Sequence, residues 1–212
     1  EIKNNTRYQI NANVALNQTD EELSPIWKKF IEYHSSNEFY QEVIGLLGND
    51  IRRLHPYIEE DMKKSLENME TDIRWKDNEK DIVLDCQVGV NSPVTERSSV
   101  KGPHLDNKVE LYAGLFYMRA KKDNSVGGYL DIYRHKTGKF KLKNHKKWGK
   151  NTIKNKNLVK LNSIPYSRNL FVLFINSHKS IHGVSERLPT PHCRRLVNII
   201  GEMYNLPSEG VW

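Results

Sequence analysis

Pro103-His104-Leu105-Asp106 is the stretch from which the fold is read. In an extended strand, side chains two residues apart project from the same face, so His104 and Asp106 set an imidazole beside a carboxylate. That is half of a metal site. Its completion lies about seventy-five residues on, in Asn176-Ser177-His178-Lys179-Ser180-Ile181-His182-Gly183-Val184-Ser185, and the basic pair Arg194-Arg195 then heads an apolar run. Two histidines and one carboxylate form a facial triad that holds ferrous iron and leaves coordination positions open. In a chain with eight histidines and 26 acids, a lone His-x-Asp is more often a pair of solvated surface residues. The order His-x-Asp, two strand-like segments, His, and then Arg entering a strand is far more restrictive.

Three histidines compete for the distal position. His192 stands three residues from Arg195 and would share its turn, while His178 lies in the polar Asn-Ser-His-Lys turn. His182 opens a short strand backed by Gly183, and its distance from Arg195 suits two antiparallel strands joined by Leu188-Pro189-Thr190-Pro191. His182 is therefore the expected ligand. Arg194 and Arg195 have opposite strand parity, so only one of them can point inward. A guanidinium fork there would match a carboxylate bidentately.

These stretches resemble the non-haem Fe(II)- and 2-oxoglutarate-dependent dioxygenases, in particular their prolyl-4-hydroxylase-like branch. The likeness is carried by His104-Leu105-Asp106, Leu115-Phe116-Tyr117-Met118, Gly127-Gly128-Tyr129-Leu130, Phe174-Ile175-Asn176-Ser177, Ser180-Ile181-His182-Gly183-Val184 and Arg195-Leu196-Val197-Asn198-Ile199. It covers roughly residues 82 to 205. It implies a double-stranded β-helix, or jelly roll, with Fe(II) held by His104, Asp106 and His182, and O2 and 2-oxoglutarate as co-reactants. Ascorbate could serve as an accessory. The implied reaction is hydroxylation of an unactivated C–H bond with release of succinate and CO2. By the same resemblance Arg195 anchors the far carboxylate of 2-oxoglutarate, with Arg194 in reserve, and Tyr117 meets that carboxylate unless it is a plain core tyrosine. Gln87 is the candidate polar side chain facing the oxoacid. The implied substrate is a prolyl residue of a protein or peptide, or a small metabolite.

Away from these motifs, 212 residues with 37% apolar and 28% charged content describe one globular domain or a domain with an appendage. The longest apolar run, Leu170 to Ile175, is strand-sized, so no membrane span is expected. Two cysteines, Cys86 and Cys193, suit a reducing compartment and a cytoplasmic location. The chain starts with Glu rather than Met, which leaves a trimmed leader open.

Pattern alone predicts helices first and strands afterwards, hence an α+β fold: a support region over 1–80 and an oxygenase core over 81–212. Tyr8 to Leu16 alternates like a strand, and Thr19-Asp20-Glu21-Glu22 looks like a capped helix start running to about Tyr33. A short helix is expected up to Gly48, and a further one over Asp50 to Met69, interrupted near its start by Pro56. Val94 to Gly102 reads as a mobile loop over the site mouth.

The net charge of +7 is local. Arg134 to Lys160 holds eleven Lys and Arg and no acid, which leaves the remaining chain at −4. This segment reads as an insertion, at about 134–157, whose Phe140 and Trp148 could stack bases. A nucleic-acid or polyanion binding module is thus one alternative to the oxygenase reading. A cupin-like metal enzyme without a keto acid is another. Oligomeric state leaves no mark in the sequence.

Overall fold

A computed structural model describes residues 3–74, 79–137, 152–207 and 210–212. In chain order it contains β1 (Arg7–Ile10), α1 (Ala12–Leu16), α2 (Pro25–His34), α3 (Asn37–Leu54), α4 (Ile58–Met62), β2 (Thr71–Ile73), β3 (Ile82–Asn91), β4 (Glu110–Met118), β5 (Leu130–His135), β6 (Leu158–Ile164), β7 (Arg168–Ile175), β8 (His182–Val184) and β9 (Arg194–Glu202). Helices precede a largely antiparallel set of strands, which is an α+β arrangement. None of the described helices is long and apolar enough to cross a membrane.

The strands form two sheets. One runs β1-β3-β9-β4-β7, with the short β2 pairing in parallel with β3, and the other runs β6-β5-β8. His104 adds an isolated bridge to β8 through reciprocal backbone bonds, His104 N to His182 O at 2.8 Å and His182 N to His104 O at 3.0 Å.

Register sorts the long sheet into two faces, because directly opposed residues share a face. Asn91 lies opposite Arg194, Gln87 opposite Asn198, and Tyr117 opposite Leu196. This face looks onto the smaller sheet, where Tyr117, Leu196 and Tyr166 pack with Leu130. The alternate residues Leu84, Cys86, Tyr112, Val197 and Ile199 face the other way, into a core closed by Ile31, Tyr40, Val43, Ile44 and Ile51 of the helices. Each such aliphatic side chain contributes about 1.5–3 kcal/mol on full burial. The helices thus brace the outer face and leave the inner one to the site.

Several local expectations are corrected. Only Arg7–Ile10 of the alternating Tyr8 to Leu16 segment is strand; α1 follows because the buried Asp85 carboxylate accepts the backbone N–H of Ala12 at 2.9 Å. Thr19 and Glu22 do bond to each other, Thr19 N to Glu22 Oε2 at 2.9 Å, but they close a turn rather than start a helix. Pro25 is the reason: it holds Ser24 in an extended conformation (ψ 149°), so the helix can begin only at Pro25 itself.

Gly48 does not end a helix either. It sits inside α3, where a Cβ would come within 3.3 Å of Ile44 Cγ2 and Arg52 Nη1, so its smallness serves packing. The break falls at His55, directly before Pro56, where ψ is 64°. The Val94 to Gly102 segment is tied along the chain near β8 by the bridges Val94–Thr190 and Ser98–Arg187.

Candidate metal centre

Between the two sheets, the structure brings His104, Asp106 and His182 together, with one ligand atom from each lying within 4.8 Å of the others. His104 and His182 are paired through their backbones, and their rings lie 4.4 Å apart, centroid to centroid, at 60°. His104 Nε2 is 3.3 Å from Asp106 Oδ1, and His182 Nε2 is 3.4 Å from Asp106 Oδ2. Ligand atoms about 2.1 Å from a metal and at right angles to one another are separated by about 3 Å, close to the two His–Asp distances, while the 4.8 Å bound on the whole set means that it would contract on an ion. His178 is exposed and His192 half-buried, and neither belongs to the cluster.

Backbone carbonyls decide the imidazole tautomers. His104 Nδ1 lies 2.7 Å from Gly102 O, and His182 Nδ1 lies 2.9 Å from Ser180 O. A carbonyl can only accept, so each Nδ1 carries a proton, which leaves Nε2, directed at Asp106, as the nitrogen that can ligate when the ring is neutral. The sequence had offered no partner for either ring. The two contacts repeat one device, a histidine bonded to the carbonyl two residues before it.

Burial, offset by the hydrogen bond with Asp106, lowers the His104 pKa and favours the neutral, ligating form. Burial alone would raise the Asp106 carboxyl. The nearby His182, the His104 hydrogen bond and Lys101, whose Nζ is 3.6 Å away, overcome it and hold the group below the usual carboxylate range. A neutral-imidazole, ionised-carboxylate donor set fits a divalent first-row metal.

Arg195, the expected anchor, does not face this interior. It lies opposite Val90 in the ladder, its side chain is exposed, and its backbone N–H donates to the Tyr166 hydroxyl at 2.9 Å. Arg194 points inward instead and is 2% exposed. Its Nε donates to Gly128 O at 2.8 Å and its Nη1 to Asn91 Oδ1 at 3.2 Å. The guanidinium carbon lies 4.9 Å from the Tyr117 ring centroid and 5.4 Å from that of Tyr166. Burial lowers its pKa, the two tyrosines partly opposing, and among the described residues no carboxylate forms an ion pair with it.

Tyr117 is fully buried beneath this guanidinium; burial raises its pKa, and the adjacent Arg194 opposes the rise. Gln87 also faces inward, but both ends of its amide are engaged: Nε2 donates to Asp85 at 2.9 Å, and Oε1 accepts from Asn198 at 3.2 Å. Sequence reasoning missed Asn91, Tyr166 and Arg7. Strand parity counted outward from Asn91 would have placed Asn91 and Gln87 on one face. Phe140 and Trp148 of the basic insertion lie outside the described residues.

No protein-family model matches the chain, and no curated protein matches it in sequence. Among solved structures it is similar to a chain from Shewanella oneidensis provisionally described as an oxygenase, at 12% identity and a TM-score of 0.50, over 100% of this chain and 66% of that one. It is also similar to a prolyl-4-hydroxylase from Pseudomonas putida (13% identity, 57% and 52% of the two chains, TM-score 0.35). A third likeness is to the Fe(II)/α-ketoglutarate-dependent dioxygenase TqaL (14% identity, 61% and 46%, TM-score 0.37). The chain spans between about half and two thirds of the length of these three structures. With a chain-long match and a His-Asp-His cluster between its sheets, the protein has the fold of the Shewanella structure.

Proposed function

We propose that this chain is an Fe(II)- and 2-oxoglutarate-dependent dioxygenase that hydroxylates an unactivated C–H bond and releases succinate and CO2. The observation that carries the reading is the pairing of two things in one interior: a converging His-Asp-His set and a buried arginine without a carboxylate partner. A buried unpaired charge costs several kcal/mol, on the order of what a well-placed anion would restore. Strand order supports a double-stranded β-helix. Four long strands run β3-β9-β4-β7, facing four segments in the order His104, β8, β5, β6. In this reading residues 81–212 form the core and residues 1–80 support it.

His104, Asp106 and His182 would hold the iron on one face, with the two backbone carbonyls keeping the imidazoles in the ligating tautomer. Arg194 would take the far carboxylate of 2-oxoglutarate, aided by the adjacent Tyr117 hydroxyl, a correction of the Arg195 assignment. When bound, the iron and keto acid supply the oxidation of the C–H bond. The chain's own part is to orient and to exclude water: Phe174 lies 5.0 Å edge-to-face against His182, and Leu115, Val172 and Leu170 line the interior beside it.

Anaerobic titration of the full chain with Fe(II) and then 2-oxoglutarate tests the proposal. A weak visible charge-transfer band that needs both additions, and that His104→Ala abolishes, is the expected result. Iron binding without any response to 2-oxoglutarate would favour a metal enzyme without a keto acid.

A further inference from the structure

The interior face carries one more cation than a single keto acid can satisfy. Arg7 of β1 lies directly opposite Asn91 of β3, which lies directly opposite Arg194 of β9, so the three side chains form a row across three adjacent strands on the site-facing side. Adjacent strands are about 4.8 Å apart, which puts Arg7 about two strand spacings from Arg194, toward the sheet edge. There its side chain is exposed, and among the described residues no hydrogen bond or ion pair holds it. Burial of its guanidinium end and the nearby Arg194 lower its pKa, with Asp106, Glu110 and Tyr117 opposing, in keeping with the site-facing direction that the register gives it.

Asn91 supplies the second observation. It is 1% exposed, and its Oδ1 accepts from Arg194 Nη1. An arginine can only donate, so this bond settles the amide orientation and turns Nδ2 away from Arg194. Among the described residues that buried Nδ2 has no acceptor. A buried donor left unpaired is costly, and an incoming acceptor would offset that cost.

The segment bearing Arg7 is clamped, not a loose terminus. Asn5, in the left-handed region (φ 44°), accepts from the fully buried Arg187 at 3.0 Å, and its backbone N–H bonds to Pro93 O at 3.0 Å. Thr6 N donates to Ser92 Oγ at 2.8 Å. The backbone of Arg7 is therefore fixed beside Asn91.

We propose that Arg7 and the Nδ2 of Asn91 form a second anion subsite beside Arg194, on the site-facing side of β1 and β3, which binds the carboxylate of a small-molecule substrate. This rests on the oxygenase reading, in which Arg194 is occupied by the cosubstrate. A free carboxylate next to the C–H bond to be hydroxylated makes a small acid, such as an amino acid, a better match than an internal prolyl residue, whose carbonyl carries no charge.

The test uses the full chain, Arg7→Ala and Arg7→Lys. Calorimetry is run with the common free L-amino acids and with their carboxamides, both with and without Fe(II) and 2-oxoglutarate under anaerobic conditions. At least one free acid should bind the wild type, with a carboxamide counterpart at least about tenfold weaker. Arg7→Ala should lose at least about tenfold in affinity for that acid, and Arg7→Lys should recover part of the loss, while 2-oxoglutarate affinity stays within about twofold. Equal binding of acid and carboxamide, no acid binding at all, or a tenfold weaker 2-oxoglutarate in Arg7→Ala each overturn the subsite. Acid binding that depends on Arg7, in a protein that gives no 2-oxoglutarate band, supports the subsite and removes the oxygenase reading instead.

Discussion

At the scale of single residues, the site turns on which of two neighbouring arginines looks inward. β9 carries apolar residues on both faces: Leu196 packs between the sheets, while Val197 and Ile199 pack under the helices. Asn198 and Glu202 nonetheless share the parity of Arg194, a signal in the strand itself that the resemblance-based choice of Arg195 passed over. The ladder decides it by setting Asn91 opposite Arg194. Arg194→Gln should raise the 2-oxoglutarate concentration needed for half-saturation by tenfold or more, on the order of 1.4 kcal/mol, whereas the same change at Arg195 should leave it within about twofold. Anaerobic titration of both variants checks this, and the opposite order would return the anchor to Arg195. The three metal-cluster residues were legible because a His-x-Asp spacing survives any register. Their tautomers were not, since the carbonyls that set them belong to the backbone.

At the scale of elements, β7 (Arg168–Ile175) fell where the apolar run Leu170 to Ile175 put it. The N-terminal elements did not. A carboxylate 73 residues away captures the start of α1, and a close approach inside α3 recruits Gly48, so local pattern was overruled by partners remote in the chain. The Gly127-Gly128 pair entering β5 shows the same dependence. Gly127 has φ +89°, and a Cβ there would stand 1.8 Å from Glu186 O; Gly128 has φ +73°, and its carbonyl receives Arg194 Nε. Gly127→Ala combines a strained conformation with a backbone clash and should cost about 2 kcal/mol or more. Urea unfolding would show this as a lowered midpoint. An unchanged midpoint would mean that the approach of residues 186–187 to this turn is looser than the structure has it.

For the whole molecule, the end of the two sheets away from Arg7 holds a buried charge system that ties the N-terminal region to the strands and answers to pH. Arg74, just after β2, faces Asp85 of β3 at 3.4 Å and Glu202 of β9 at 3.1 Å, and Tyr204 donates to Glu202 at 3.2 Å. Glu202 is fully buried, and burial pushes its carboxyl up to about 7, the attraction of Arg74 only partly opposing. A carboxyl whose folded pKa exceeds its ordinary 4.5 binds more protons in the native state than in the unfolded one across that interval. Stability from this group therefore falls as pH rises from 4.5 to 7, by on the order of 3 kcal/mol in total. His104, whose pKa is lowered, works in the other direction and loses stability as pH falls below its unfolded value near 6.5. The two are separated by Glu202→Gln, which removes one titration and keeps the other. Urea unfolding of both proteins between pH 5.5 and pH 8 should show the glutamine variant gaining on the wild type as pH rises, with the change largest between pH 5.5 and 7. Parallel stability curves would mean that Arg74 keeps Glu202 ionised throughout, and that this buried set works as a fixed ion pair rather than as a proton-binding one.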